Sequence, residues 1–516
     1  MKSINRYQLI VFLVMPFLLS WPAWFNGQPF LFPDTTAYIK GAASAVNVVY
    51  KSDEAARWLQ PAAAPAGGAG ASAPAAAPAP DAAVEQFSST PERQGVISGR
   101  SVYYGFFVFV ITSLFGLSAV PLVQALVSTV LIASVLRARF SIDYKIIASA
   151  LLLLAIASPL PFFDSLMMPD VFAGLGILAA VGLILIPSAT PGTRVFWALL
   201  MLAALLFHTG NILILSATVV TLVVLSLLVD RGRPLKAGMV LVTLAMIALG
   251  IFGEAMFSYA VKYVTNSSPI RPPFMTARLL ADGPGNDFVK SDCAQTDFEV
   301  CKYRRDFTRA TSDDFLWSMD GRYGVFTLVP KASRQRLGQQ DFAFAKAVFM
   351  KYPSAVIKNS ARNIAAQIGY IGLEEYIYTP GMISNFSHKL PADEQRKLEA
   401  SRAAHAHFDV AYYETIIKTT TLVALMLCLV AAVISYRNKQ HADLTFIVIL
   451  LLSELINAGV CGALSTPHDR YQARIIWIVQ LLAFVVVALK LKFIKPVVIF
   501  STSPKVGSTP AYAAPE

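Results

Sequence analysis

An all-α polytopic membrane protein is the fold class this sequence predicts, on three observations. Of 516 residues, 55% are hydrophobic and only 15% charged, with a mean hydropathy of +0.56, too apolar for an ordinary soluble globule. Apolar runs of roughly 17–25 residues recur along the chain, the length an α-helix needs to cross a bilayer. None of them alternates in the way a transmembrane barrel strand does.

The net charge of +11 does not point to nucleic acid. Much of the basic excess falls in short segments between apolar runs: Lys2/Arg6, Arg137/Arg139/Lys145, Arg231/Arg233/Lys236, Arg437/Lys439 and Lys490/Lys492/Lys495. Placing all five in the cytoplasm satisfies the positive-inside rule and fixes the topology, with the amino terminus inside.

Residues 1–25 have the basic start and apolar run of a signal peptide, but Trp21-Pro22-Ala23-Trp24-Phe25 offers no small-residue cleavage site, so the segment reads as an uncleaved first helix over 7–25. It delivers residues 26–100 to the far side. Within that loop, residues 61–83 are almost all Ala, Pro and Gly, a composition that cannot build a core and reads as an extended insert. Residues 101–116, with Tyr103, Tyr104, Phe106 and Phe107, suit a helix lying in the outer headgroup layer. Spans are then predicted at 119–137, 144–161, 171–187, 194–208, 211–229 and 236–258, completing a membrane module over 1–258.

Residues 259–411 contain no spanning run and carry Gly-Pro turns and amphipathic stretches, predicting an extracytoplasmic domain of mixed structure. Cys293 and Cys301 lie in it and form the one pair that suggests a disulfide, which would need an oxidising compartment. Three helices over 412–435, 443–463 and 472–491 complete a membrane segment over 412–495, about ten spans in all, and leave residues 496–516 as a cytoplasmic tail. No repeat of the kind common in secondary transporters is visible.

On this topology Asp34, Arg100, Asp164, Asp170, His208, His468, Asp469 and Arg470 all fall at the outer face. Asp34, in Phe32-Pro33-Asp34-Thr35-Thr36-Ala37-Tyr38, suits either a helix cap or a carboxylate that takes the proton from an attacking hydroxyl. Asp164 and Asp170 bracket a short outer loop, and Asp170 abuts a helix start, where a cap and a metal-facing carboxylate look alike. Arg470, in Pro467-His468-Asp469-Arg470-Tyr471, can fork onto a phosphate or anchor in headgroups, and Arg474, one turn on, faces the same side. His208-Thr209-Gly210-Asn211 reads as a tight outer turn or the polar wall of a cavity. Glu454, an acid at costly depth in a span, has no partner that the sequence names.

The chain has no His-Glu-x-x-His, paired Cys-x-x-Cys, EF-hand loop, Walker A loop or dinucleotide fingerprint, which argues against direct use of ATP, NAD or a nucleotide sugar in a Rossmann pocket.

At these residues the sequence resembles the GT-C superfamily of integral-membrane glycosyltransferases, which move a sugar from a polyprenyl-phosphate donor to an acceptor. Asp34-Thr35-Thr36-Ala37-Tyr38 is similar to the acidic motif of that superfamily's first outer loop, and Gly99-Arg100-Ser101-Val102-Tyr103-Tyr104-Gly105 to its interfacial Arg-x-x-x-Tyr element. Asp164 or Asp170 fits the second acidic position, and Arg470-Tyr471 the late Arg-Tyr. The resemblance covers 1–236 and 443–491 in outline. It implies a donor entering sideways from the outer leaflet, Arg470 neutralising its phosphate, and Asp34 deprotonating an acceptor hydroxyl on a glycan, lipid or protein, with inversion at the anomeric carbon. His468, Arg100, Tyr103, Tyr471, His208 and Arg474 would line the substrate. The Ala/Pro insert and the lack of an Asp-x-Asp or Glu-x-Asp dyad depart from the pattern, and leave open a divalent Mg or Mn at Asp34 and Asp170. The implied location is a bacterial inner membrane, both termini cytoplasmic and the large domain periplasmic.

Three other readings compete. A transporter or flippase would use the same arginines for recognition alone. An O-antigen-ligase-like enzyme would draw its essential groups from the outer domain, at Arg271, Arg278 or Asp282. A scaffold would tolerate substitution at Asp34 and Arg470.

Overall fold

The computed structural model describes residues 6–60, 96–99, 101–229, 235–303, 307 and 310–490. The insert over 61–83, Arg100 and the 496–516 tail lie outside the described residues, as do Lys2, Arg231, Arg233, Lys492 and Lys495. Every regular element among the described residues is a helix. The first apolar run is broken into α1 (Arg6–Leu9), a π turn (Ile10–Val14), α2 (Met15–Leu19) and α3 (Trp21–Asn26). Pro16 and Pro22, which lack the N–H that would continue each helix, stand at the starts of α2 and α3. The first loop forms α4 (Thr35–Val49) and α5 (Asp53–Leu59), and α6 (Val102–Phe115) follows.

Then come α7 (Ala119–Phe140), α8 (Tyr144–Ala157), α9 (Leu160–Ser165), α10 (Val171–Leu185), α11 (Pro191–Phe207), α12 (Gly210–Val229) and α13 (Ala237–Thr265). The 259–411 segment holds α14 (Phe274–Asp282), α15 (Pro284–Asp292), α16 (Ser312–Trp317), α17 (Lys331–Lys351), α18 (Pro353–Gly369), α19 (Pro380–Ser387) and α20 (Ala392–Glu399). The last three are α21 (Val410–Arg437), α22 (His441–Leu464) and α23 (Asp469–Lys490).

The fold is therefore all-α, but two expectations change. Among the described residues six helices, α7, α12, α13, α21, α22 and α23, are long and apolar enough to cross a membrane, not ten. The other predicted spans contain helices such as α8, of 14 residues, and α10, of 15. At 1.5 Å per residue these reach only about 21–23 Å, short of a hydrocarbon core of about 30 Å. Ser158 and Pro159 end α8 early. The 259–411 segment is also not mixed: the described residues contain no strand, only isolated bridges at Phe30–Leu166 and Ile97–Ile270. The Gly-Pro pair read as a turn, Gly283-Pro284, joins two helices.

Exposed leucine, valine and phenylalanine side chains cover α13 and α21, including Leu241, Phe252, Leu422 and Val430. Water would penalise such a surface and lipid does not.

A second hydrophobic core runs from Ile270 to Val348, separate from the main one. Residues from Leu373 to Phe408 join the main core, so the unit with its own core is shorter than 259–411. In it Cys293 and Cys301 are bonded, with Cα atoms 5.4 Å apart.

The basic helix ends gather at one end of the bundle. There Arg137 lies 4.5 Å from the Tyr144 ring centre and Arg139 pairs with Asp443. The starts of α4, α10 and α23 and the end of α11 meet at the other.

Candidate functional site

Two loops are stitched together before any charge is placed. The Phe30 N–H donates to the Ser165 carbonyl at 3.0 Å, the Met167 N–H to the Phe30 carbonyl at 2.8 Å, and the Thr35 hydroxyl to the Met167 carbonyl at 2.9 Å. This sets the Asp34 loop beside the start of α10. Gly174, one turn after Asp170, lets α23 approach: a Cβ there would stand 2.8 Å from the Trp477 indole nitrogen. Trp477 in turn donates to the Arg474 carbonyl at 3.1 Å.

The outcome is a buried ion pair. Arg474 and Asp170 are 1% and 2% exposed, with Nη1 3.3 Å from Oδ1. Arg474 Nη2 also donates to Asn457 Oδ1 at 3.2 Å, and Asn457 locks α22 to α23 by donating to the Tyr471 carbonyl at 2.7 Å. Asp170 Oδ2 and Arg474 Nε are buried with no hydrogen-bond partner among the described residues.

Arg470, on the first turn of α23, stacks 4.6 Å from the centre of the Phe32 ring and 5.0 Å from that of Tyr471. Its Nη2 donates to the Tyr471 hydroxyl at 3.4 Å, while Nη1 is buried and unpartnered among the described residues. Two residues past Phe32, Asp34 opens α4 through its backbone: its carbonyl accepts from Ala37 and Tyr38, and its carboxylate makes no cap bond. The cap reading of that carboxylate therefore fails on geometry.

His208 ends α11 and ties these groups together. Burial and the positive charges of Arg474 and Arg470 pull its pKa from 6.5 to about 4, against opposing pulls from Asp170 and Asp34, so the ring is neutral near pH 7. Its Nδ1 accepts from the Gly210 N–H at 3.1 Å, which assigns the proton to Nε2. Asp34, Asp170, His208, Arg470 and Arg474 thus share one electrostatic neighbourhood.

Other predicted residues sit apart. Asp164 is fully buried and accepts from Ser128 at 2.8 Å, and burial lifts its pKa well above the ordinary carboxyl value. The Tyr103 hydroxyl donates to the Gly253 carbonyl at 2.8 Å on α13. His468 Nε2 faces Asp313 Oδ2 at 2.7 Å. Burial alone would raise the Asp313 pKa, but the bond and charge of His468 outweigh it and hold that carboxyl below its ordinary value. Gln367 grips the His468 backbone from both sides, at 2.8 and 3.0 Å. Glu454 finds its partner in Gln472, at 2.8 Å. Arg278 and Asp282 of the ligase-like reading pair with each other, and Asn363 holds Asp282 at 3.0 Å.

Sequence reasoning missed Glu375 and Tyr376, both buried, at 8% and 1% exposed, with Glu375 Oε2 and the Tyr376 hydroxyl unpartnered among the described residues. The Glu374-Glu375-Tyr376 triplet was a visible polar signal, but no spacing links it to Arg470. Among the described residues no three His, Cys, Asp or Glu side chains gather as metal ligands.

Fold and site together define an all-α membrane protein with a buried cluster of opposite charges at one end of its helix bundle. No family model, curated protein or solved structure matches the chain.

Proposed function

We propose that the protein is a membrane glycosyltransferase that moves a sugar from a polyprenyl-phosphate donor to a glycan, lipid or protein acceptor. The observation that carries this reading is the Arg470 guanidinium, stacked on Phe32 with a buried, unpartnered Nη1, two residues from Asp34. A buried donor on a permanent cation is costly unless an anion fills its place, and phosphate matches the guanidinium fork. Asp34, its carboxylate not spent on capping, accepts the acceptor hydroxyl's proton as that oxygen attacks the anomeric carbon. The bond from sugar to phosphate breaks, polyprenyl phosphate leaves with the electron pair, and Arg470 holds its charge. Direct displacement inverts the anomeric carbon. No step is routed through a metal ion, and a divalent cation at Asp34 and Asp170 remains an addition for titration with Mg and Mn to examine.

This reading places the site at the outer face of an inner membrane, with the termini cytoplasmic and the unit that holds Cys293 and Cys301 periplasmic. The test uses purified protein in nanodiscs with a polyprenyl-phosphate sugar and an acceptor on the same side. Acceptor-dependent release of polyprenyl phosphate supports the reading. Movement of intact donor across a liposome bilayer without release supports the transporter instead.

A further inference from the structure

The segment 370–378 forms a strap between the unit with its own core and the membrane helices, and its anchors bracket Glu375. On one side Gly372 lies against Asp469, on the first turn of α23, so closely that a Cβ would fall 2.1 Å from Oδ2. The Leu373 N–H donates to Glu414 on α21 at 2.7 Å. On the other side the Tyr376 ring packs 4.9 Å from Phe30 and 5.3 Å from Phe162, and the Tyr378 hydroxyl accepts from the Leu31 N–H and donates to its carbonyl at 3.0 Å. Glu375 is therefore pinned between the turn that carries Arg470 and the loop that carries Phe32.

We propose that Glu375 is the acid of the site: its carboxyl group hydrogen-bonds the phosphate held by Arg470 and gives its proton to that phosphate as the bond to the sugar breaks. The inference rests on the glycosyltransferase reading. The proton balance is complete, because the acceptor proton goes to Asp34, the Glu375 proton goes to the departing phosphate, and Glu375 is left as a carboxylate to be reprotonated from water. Two observations support it besides position. Oε2 is buried with no partner among the described residues, as a group awaiting a ligand oxygen would be. Burial also keeps the Glu375 pKa above the ordinary carboxyl range, against the pull of Arg470 on α23 and of His468 just before it, and with a push from Asp170 at the start of α10. Glu414, which faces the strap from α21, is engaged by Leu373 and Lys418. A phosphate monoester takes its second proton near pH 6, and raising a carboxyl above its ordinary range narrows the gap between the two groups.

The experiment compares full-length wild type with Glu375→Gln and Glu375→Asp, each checked for a wild-type unfolding temperature. Two quantities are read against pH: binding of a dialkyl phosphodiester, whose single charge is fixed across the assay range, and turnover of the polyprenyl-phosphate sugar. Expected for wild type is binding and turnover that both weaken as pH rises through the Glu375 ionisation. Glu375→Gln is expected to bind within about threefold, with the pH dependence gone, while turnover falls about 10²-fold. Glu375→Asp should restore part of the turnover and its alkaline limb. If Glu375→Gln keeps turnover within threefold and the same alkaline limb, the proposal is overturned. Should wild type turn over no donor, the transfer reading and the proton delivery fall together. A pH dependence of binding that Glu375→Gln abolishes would then keep Glu375 as the phosphate contact, and a dependence shared by wild type and variant would remove that role too.

Discussion

The Arg470 guanidinium carbon lies 4.6 Å from the centre of the Phe32 ring, which joins the two polar clusters at opposite ends of the chain. Cation–π stacking of a desolvated guanidinium is worth about 2 kcal/mol, and here it fixes the fork at the mouth of the Asp34 loop.

Asp34→Asn is expected to fold normally and lose transfer. The start of α4 should survive, since the Asp34 carbonyl and not its carboxylate receives the Ala37 and Tyr38 N–H groups, while turnover falls at least about 10²-fold. Near-wild-type turnover by this variant would remove Asp34 as the base.

Asp170→Asn should behave differently, as a stability lesion. It leaves the Arg474 charge buried at 1% exposure without its counter-ion, a change that costs about 3–5 kcal/mol. The double variant Asp170→Asn/Arg474→Met should recover much of that loss in chemical denaturation, because no unpaired charge remains.

His208 predicts a pH dependence with a definite sign. Its folded pKa, about 4, is below its ordinary 6.5, so the unfolded chain binds the proton first. Its contribution is fully present above pH 6.5 and is lost as pH falls from 6.5 toward 4, by no more than about 3 kcal/mol. His208→Gln should flatten the unfolding temperature across that window, and an unchanged slope would assign the dependence to other groups.

The Cys293–Cys301 bond closes a short loop in the second core. Cys293→Ser/Cys301→Ser should cost that unit about 2–3 kcal/mol, seen as faster proteolysis near residues 293–301 with the membrane helices still protected.

The long helices were legible because an apolar run has to end where polar residues begin: predicted spans over 211–229, 412–435 and 443–463 are found as Gly210–Val229, Val410–Arg437 and His441–Leu464. The short ones were overcounted because apolarity says that a segment is buried, not that it spans. In α10 every residue from Val171 to Ile184 is buried inside the protein. At the site, Asp34 and Arg470 were visible as charges beside apolar runs. Glu375 was not, since the strap that brings it to Arg470 is placed by Tyr378 on Leu31 and Gly372 on Asp469, contacts that no local pattern encodes.

The most direct measurement of the central claim is single-turnover release of polyprenyl phosphate in nanodiscs, compared between wild type and Arg470→Gln. Wild type is expected to release one polyprenyl phosphate per sugar transferred, and Arg470→Gln to do so at a rate at least about 10²-fold lower. Release at the same rate by both proteins, or sugar-bearing lipid moved intact to the other leaflet, would contradict it.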